Sequence, residues 1–164
     1  MDSVDSVFIS LKVLIECLKK KKEALKRIVD ITENQGCLLN SELAHEEVYS
    51  FFMQMNGEKQ EFIQKVLQCD NVFENMFQKV GSILDDNPSK YGEQVRILQN
   101  MIREVMDLDA QIRVSEDNNS QILTQTMGKI KALPLDKSNV IGTRGYGSHK
   151  IIEAYKNQAQ RRSD

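Results

Sequence analysis

Apolar residues recur along this chain in alternating steps of three and four, and they do so in three separate runs. The first is Val4, Val7, Leu11, Leu14, Leu18, Lys21, Leu25, Ile28 and Thr32, broadened by Phe8, Ile15 and Val29. That period is the signature of a helix with one face packed on other helices. Lys21 is the polar lapse, and its aliphatic stem is expected to lie along the seam while the ammonium reaches water. Asn34-Gln35-Gly36 is expected to end the helix, because glycine favours the C-terminal stop.

The second run is Val48, Phe52, Met55, Lys59, Phe62, Val66, Cys69, Phe73, Met76, Val80 and Ile83. Gly57 and the charged cluster Glu58-Lys59 interrupt it, yet the phase is the same on both sides. A turn there would give the second half no reason to keep register. An interior glycine costs roughly 0.5–1 kcal/mol relative to alanine, and each buried Phe or Val contributes about 1.5–3 kcal/mol. The helix is therefore predicted to run through Gly57. It starts at Ser41 or just after and stops at Asn87-Pro88.

The third run, after Pro88, is Val95, Leu98, Ile102, Val105, Asp109, Ile112, Glu116, Asn119, Leu123, Thr126, Ile130 and Leu133, closed by Pro134. Its middle is polar where it should be buried. Either this part overhangs the other helices or its partner lies outside the chain. Short connections near Gly36 and Pro88 make neighbours antiparallel. The fold read from this pattern is all-α: an elongated antiparallel three-helix bundle over residues 1–134, each helix on the order of 45–65 Å long.

Residues 135–164 break the pattern. Gly142, Gly145 and Gly147 read as a flexible linker, and Ile151, Ile152, Tyr155 and Ala159 share one side of a short helix opened by Ser148. Such a helix is marginal alone and needs a partner surface. Candidate partner-binding positions are therefore Val140, Ile141, Tyr146, Ile151, Ile152 and Tyr155 in the tail. A bundle groove near Leu123, Ile130 and Leu133 joins them.

Composition sharpens this picture. The chain has 164 residues, 40% of them hydrophobic, with two prolines and no tryptophan. That suits one helical domain with a real core and disfavours an all-β fold. A net charge of −2 exerts no general pull on nucleic acid or membrane. No apolar run nears the ~20 residues of a membrane span, and the acidic N-terminus does not read as a secretory signal. Charge is unevenly placed: residues 37–86 hold three Lys/Arg against nine Asp/Glu, and residues 134–164 hold six against three. Cys17, Cys37 and Cys69 show no C-x-x-C spacing, as expected of a reduced cytosolic protein.

Candidate chemistry adds little. "GTRGYGSHK" has the wrong spacing for a Walker loop and follows no strand. His45 and His149 lie apart with no clustered Cys, which disfavours zinc. Cys69 falls on the second stripe and is expected to be buried, as a small hydrophobe. The acid pairs lack an orienting partner, so neither enzyme activity nor a cofactor is expected. "LKKKKEALKR" spreads Lys19 to Lys22 around a helix. It reads as a solvated face paired with acidic helix two, with a basic nucleic-acid binder as the minor alternative. Phe51 and Met53 lie off the second seam and are the candidates for exposure, while Met55, Phe73 and Met76 read as core.

Four segments together, "LIECLKKKKEALKRIVDITENQ", "EKQEFIQKV", "LQNMIREVMDLDAQI" and "HKIIEAYKNQ", resemble flagellar type III export chaperones. The FlgN-like type is nearest, with the FliT-like class as neighbour. The resemblance implies a small cytoplasmic bacterial protein without catalysis. Its partner would be the helical C-terminal segment of a hook-associated or filament-cap protein, shielded from premature assembly and delivered to the export gate or an export-ATPase component. Consistent with the charge and hydropathy above, no nucleic acid and no membrane insertion are expected, and a homo-dimer stays open. A tyrosine in the C-terminal segment of such chaperones is implicated at the gate, which makes Tyr146 and Tyr155 candidates. The alternative from another class is a client-free structural coiled-coil adaptor.

Overall fold

The computed structural model describes the backbone of residues 3–126 and the side chains of residues 6–125. Three helices fill that span: α1 (Ser3–Leu39), α2 (His45–Asp86) and α3 (Gly92–Thr126). At 1.5 Å per residue they are roughly 50–65 Å long. The fold is all-α, a three-helix bundle in which α1 packs on both α2 and α3. Contacts such as Gln35 with Phe52 and Lys21 with Asp70 set α1 against α2 antiparallel. Lys22 with Glu104 and Asn119 with Thr32 run α3 alongside α1 in the same direction.

Helix α2 continues through Gly57, which has no positive φ and open space where a Cβ would stand. Its first turn carries Glu46 and Glu47, favourably placed at the positive end of the helix dipole. At its other end Asn87 Nδ2 donates to the Ile83 carbonyl at 2.9 Å, just before Pro88. Tyr91 then plugs the base of α3, almost wholly buried with its ring edge-on to Phe8 at 5.2 Å.

Helix α1 does not stop at Gly36. It runs on to Leu39, whose side chain is buried, and its last carbonyls are capped from the turn. Asn40 Nδ2 donates to the Gly36 carbonyl at 3.0 Å and Ser41 Oγ to the Leu38 carbonyl at 2.6 Å. Gly36 serves packing instead: a Cβ there would lie 2.9 Å from Asn119 Oδ1. An interior glycine that admits a neighbour and a terminal glycine look the same in a one-dimensional pattern.

The core has two apolar parts. The larger runs from Val7 and Tyr91 to Ile112, and includes Leu14, Leu25, Ile63, Phe73 and Ile102. The smaller joins Leu39, Val48, Phe52 and Leu123 where the C-terminal half of α1, the start of α2 and the end of α3 meet. Between them lies a polar belt. Lys59 Nζ pairs with Glu116 Oε1 at 2.5 Å, both buried. Asn119 Nδ2 donates to the Thr32 carbonyl at 3.0 Å, and Gln35 Nε2 to Asn56 Oδ1 at 2.7 Å.

The polar middle of α3 therefore neither overhangs nor waits for an absent partner, because Glu116 and Asn119 meet polar positions of α2 and α1. Lys21 likewise does not reach water. It is buried against Asp70 of α2, 2.7 Å away. Of the other residues in the lysine run, Lys19 pairs with Glu16 of its own helix and Lys22 reaches Glu104 of α3. Only Lys21 joins the run to the acidic second helix through an ion pair of this kind.

The buried stripe of α2 departs from expectation at every second step. Val48, Phe52, Lys59, Val66, Phe73 and Val80 are buried as expected. Between them the buried residues are Ile63, Asp70, Phe77 and Leu84, while Met55, Phe62, Cys69, Met76 and Ile83, expected inside, are only half-buried. The apolar arc of α2 is thus wider than its contact with α1 and α3 requires.

Candidate partner-binding groove

That surplus apolar width has a location. Along the outer junction of α1 and α2 lie two adjoining hollows, of about 490 and 540 Å³, which share Lys20, Gln68 and Cys69. Together they form one open groove. Its floor is Val13, Cys17 and Ala24 from α1 with Phe62, Cys69 and Val72 from α2. At one end Ile9 and Val72, which line the same hollow, are 55% and 45% exposed, so apolar surface of both helices faces outward there.

Each floor residue is placed by helix periodicity. Val13, Cys17, Lys20, Ala24 and Arg27 succeed one another by steps of three and four along one face of α1. Phe62, Lys65, Cys69 and Val72 do the same on α2. The Phe62 ring is flanked by two cations, with Arg27 Cζ at 5.6 Å and Lys65 Nζ at 5.1 Å from its centroid. The groove is greasy at the bottom and cationic at the lip.

Two thiols mark its floor. Burial pushes the Cys17 thiol above the ordinary value, and the neighbouring Cys69 adds to this. Burial raises Cys69 as well, with Asp70 contributing and Lys20 and Lys21 opposing. Cys69 is half-buried rather than buried, since Asp70 takes the inward position, while Cys37 is exposed and lines neither hollow.

Of the candidate partner-binding residues, Leu123 is closed into the smaller apolar cluster with Leu39, Val48 and Phe52. Ile130, Leu133, Val140, Ile141, Tyr146, Ile151, Ile152 and Tyr155 lie outside the described residues, as do the proposed boundary at 134 and the tail. Phe51 is exposed and Met53 half-buried; Phe73 is core, and Met76 packs against it from the side. Groove positions such as Val13, Val72 and Arg27 were missing from the sequence reading. One signal could have found them: adjacent apolar pairs on α2, such as Phe62-Ile63, of which one helix face can bury only one member.

Among the described residues no group of three or more His, Cys, Asp or Glu side chains could hold a metal ion. No helix among them is long and apolar enough to cross a membrane. Compared with known proteins, the chain matches no family model, no curated protein and no solved structure.

Proposed function

We propose that this protein is a carrier of helical segments, acting as a flagellar export chaperone of the FlgN-like kind for a hook-associated or filament-cap protein. The observation that carries the reading is the open groove between α1 and α2. A helix of a secreted subunit with a bare apolar face is an association hazard before assembly, and laying that face into a groove between two helices removes it. The bundle supplies a long, shallow, apolar seat for this purpose. Sequence resemblance supplies the flagellar context, including handover to an export gate or export-ATPase component in the cytoplasm.

The test is purification of the full chain from its own host, with the bound proteins identified by mass spectrometry, beside a deletion strain. The reading expects a hook-associated or filament-cap subunit in stoichiometric amount, and a loss of that subunit from the culture medium of the deletion strain. Recovery of no flagellar subunit, with secretion undiminished, leaves the client-free adaptor as the better account.

A further inference from the structure

The rim of the groove carries more positive than negative charge. Lys12, Lys20 and Arg27 border it from α1 and Lys65 from α2. Among the described residues, no carboxylate lies within ion-pair distance of any of these four. Two acids share the lip, Glu16 at 3.4 Å from Lys19 and Glu23 at 3.8 Å from Lys26, and the cations outnumber them. Spacings of eight and seven residues set Lys12, Lys20 and Arg27 about 12 and 10.5 Å apart along α1, within an arc of roughly 80° around it.

We propose that the groove takes an amphipathic helix of the client whose apolar stripe is bordered by Asp and Glu. This rests on the helix-carrier reading and gives the occupant its chemistry. The apolar floor accepts the stripe, and the four unpaired cations meet carboxylates at two-turn intervals along its edge. From Ile9 to Arg27 the groove follows α1 for about 27 Å, which matches an occupant of roughly 18 helical residues. The chain's own residues 134–164 carry six Lys/Arg against three Asp/Glu, so this rim repels them. Charge thus selects an acidic partner over the chain's own basic segment.

Two fluorescent peptides of roughly 18 residues test this, each with leucines at helical spacing and either Glu or Lys flanking the stripe. Anisotropy titration against the full chain is expected to show the Glu-flanked peptide binding at least about tenfold tighter, with the advantage shrinking as salt is added. The double variant Lys20→Glu/Lys65→Glu changes two exposed side chains and is expected to keep its helicity by circular dichroism while reversing the preference. Equal affinity for both peptides, or an unreversed preference in the folded variant, overturns the proposal. So does a gain of about tenfold in Glu-peptide affinity on deleting residues 142–164, since that segment would then be the occupant. Sedimentation showing a dimer that dissociates as peptide binds would give the groove to a second copy and overturn it equally. Peptide discrimination without any flagellar subunit in the purification would remove the export reading and leave the groove. A subunit that binds the wild type and the charge-reversed variant alike would do the opposite.

Discussion

Replacing Lys59 and Glu116 by Met and Leu, singly and together, should give effects that do not add. The two side chains, 57 residues apart in sequence and on consecutive helices, touch at 2.5 Å and are each 6% exposed. At an effective dielectric constant of about 20, unit charges at that separation attract by about 7 kcal/mol. Removing two ions from water costs several kcal/mol apiece, so the pair comes out near balance. Lys59→Met or Glu116→Leu alone leaves one buried charge without its partner, and each should cost about 3–5 kcal/mol. Together they substitute apolar groups of similar volume, and the double variant should lie within about 1–2 kcal/mol of the wild type. Urea unfolding of all four proteins, followed by circular dichroism at neutral pH, reads this directly.

The same pair gives a pH dependence whose sign is fixed. Burial holds the Lys59 ammonium below the ordinary lysine value of 10.5, and Glu116 partly offsets this. Between the depressed value and 10.5 the unfolded chain binds more protons than the folded one, so this residue's contribution to stability rises with pH across that window. In Glu116→Leu the offset is gone and the window opens lower, so that variant should recover part of its loss as pH rises. Additive single and double effects, or a Glu116→Leu deficit that grows toward alkaline pH, would refute the reasoning.

Gly57→Ala, with open space around the new Cβ, should raise stability by about 0.5–1 kcal/mol. Gly36→Ala gains the same propensity but displaces Asn119 from its bond to the Thr32 carbonyl, at about 1–3 kcal/mol, and should be destabilising. Urea midpoints of the two variants moving in the same direction would contradict this. Thiol labelling by mass spectrometry should run Cys37 first, then Cys69, then Cys17, following exposure, and the Cys69 rate should keep climbing past pH 9.0 because its thiol is raised. Deleting residues 142–164 should leave the melting temperature nearly unchanged, since Gly142, Gly145 and Gly147 make that segment costly to order and no heptad run ties it to the bundle; a collapse of helicity would give that segment a structural role.

The three helices were legible because periodicity survives interruption: the unbroken phase across Gly57 located α2, and Asn87-Pro88 located its end. Properties that need two helices at once were not. Lys21, Lys59, Glu116 and Asn119 each look like a fault when one helix is read alone. They become partners only when the bundle sets Lys21 beside Asp70 and Lys59 beside Glu116. The register of α2 was ambiguous for a similar reason. Phe62-Ile63 and Met76-Phe77 offer two apolar choices each, and Asp70 had no apparent claim to the inside until Lys21 was placed opposite. The groove lay in that ambiguity, because Phe62 and Cys69, expected in the core, form its floor.

Cys69 sits where the two halves of the groove join, so its accessibility reports directly on whether a partner's helix lies there. The decisive measurement is the labelling rate of Cys69 in the full chain, alone and saturated with the proposed secreted subunit, with Cys37 as internal reference. The account predicts that Cys69 slows by at least about tenfold in the complex while Cys37 keeps its rate. Unchanged labelling of Cys69 in the saturated complex would contradict it.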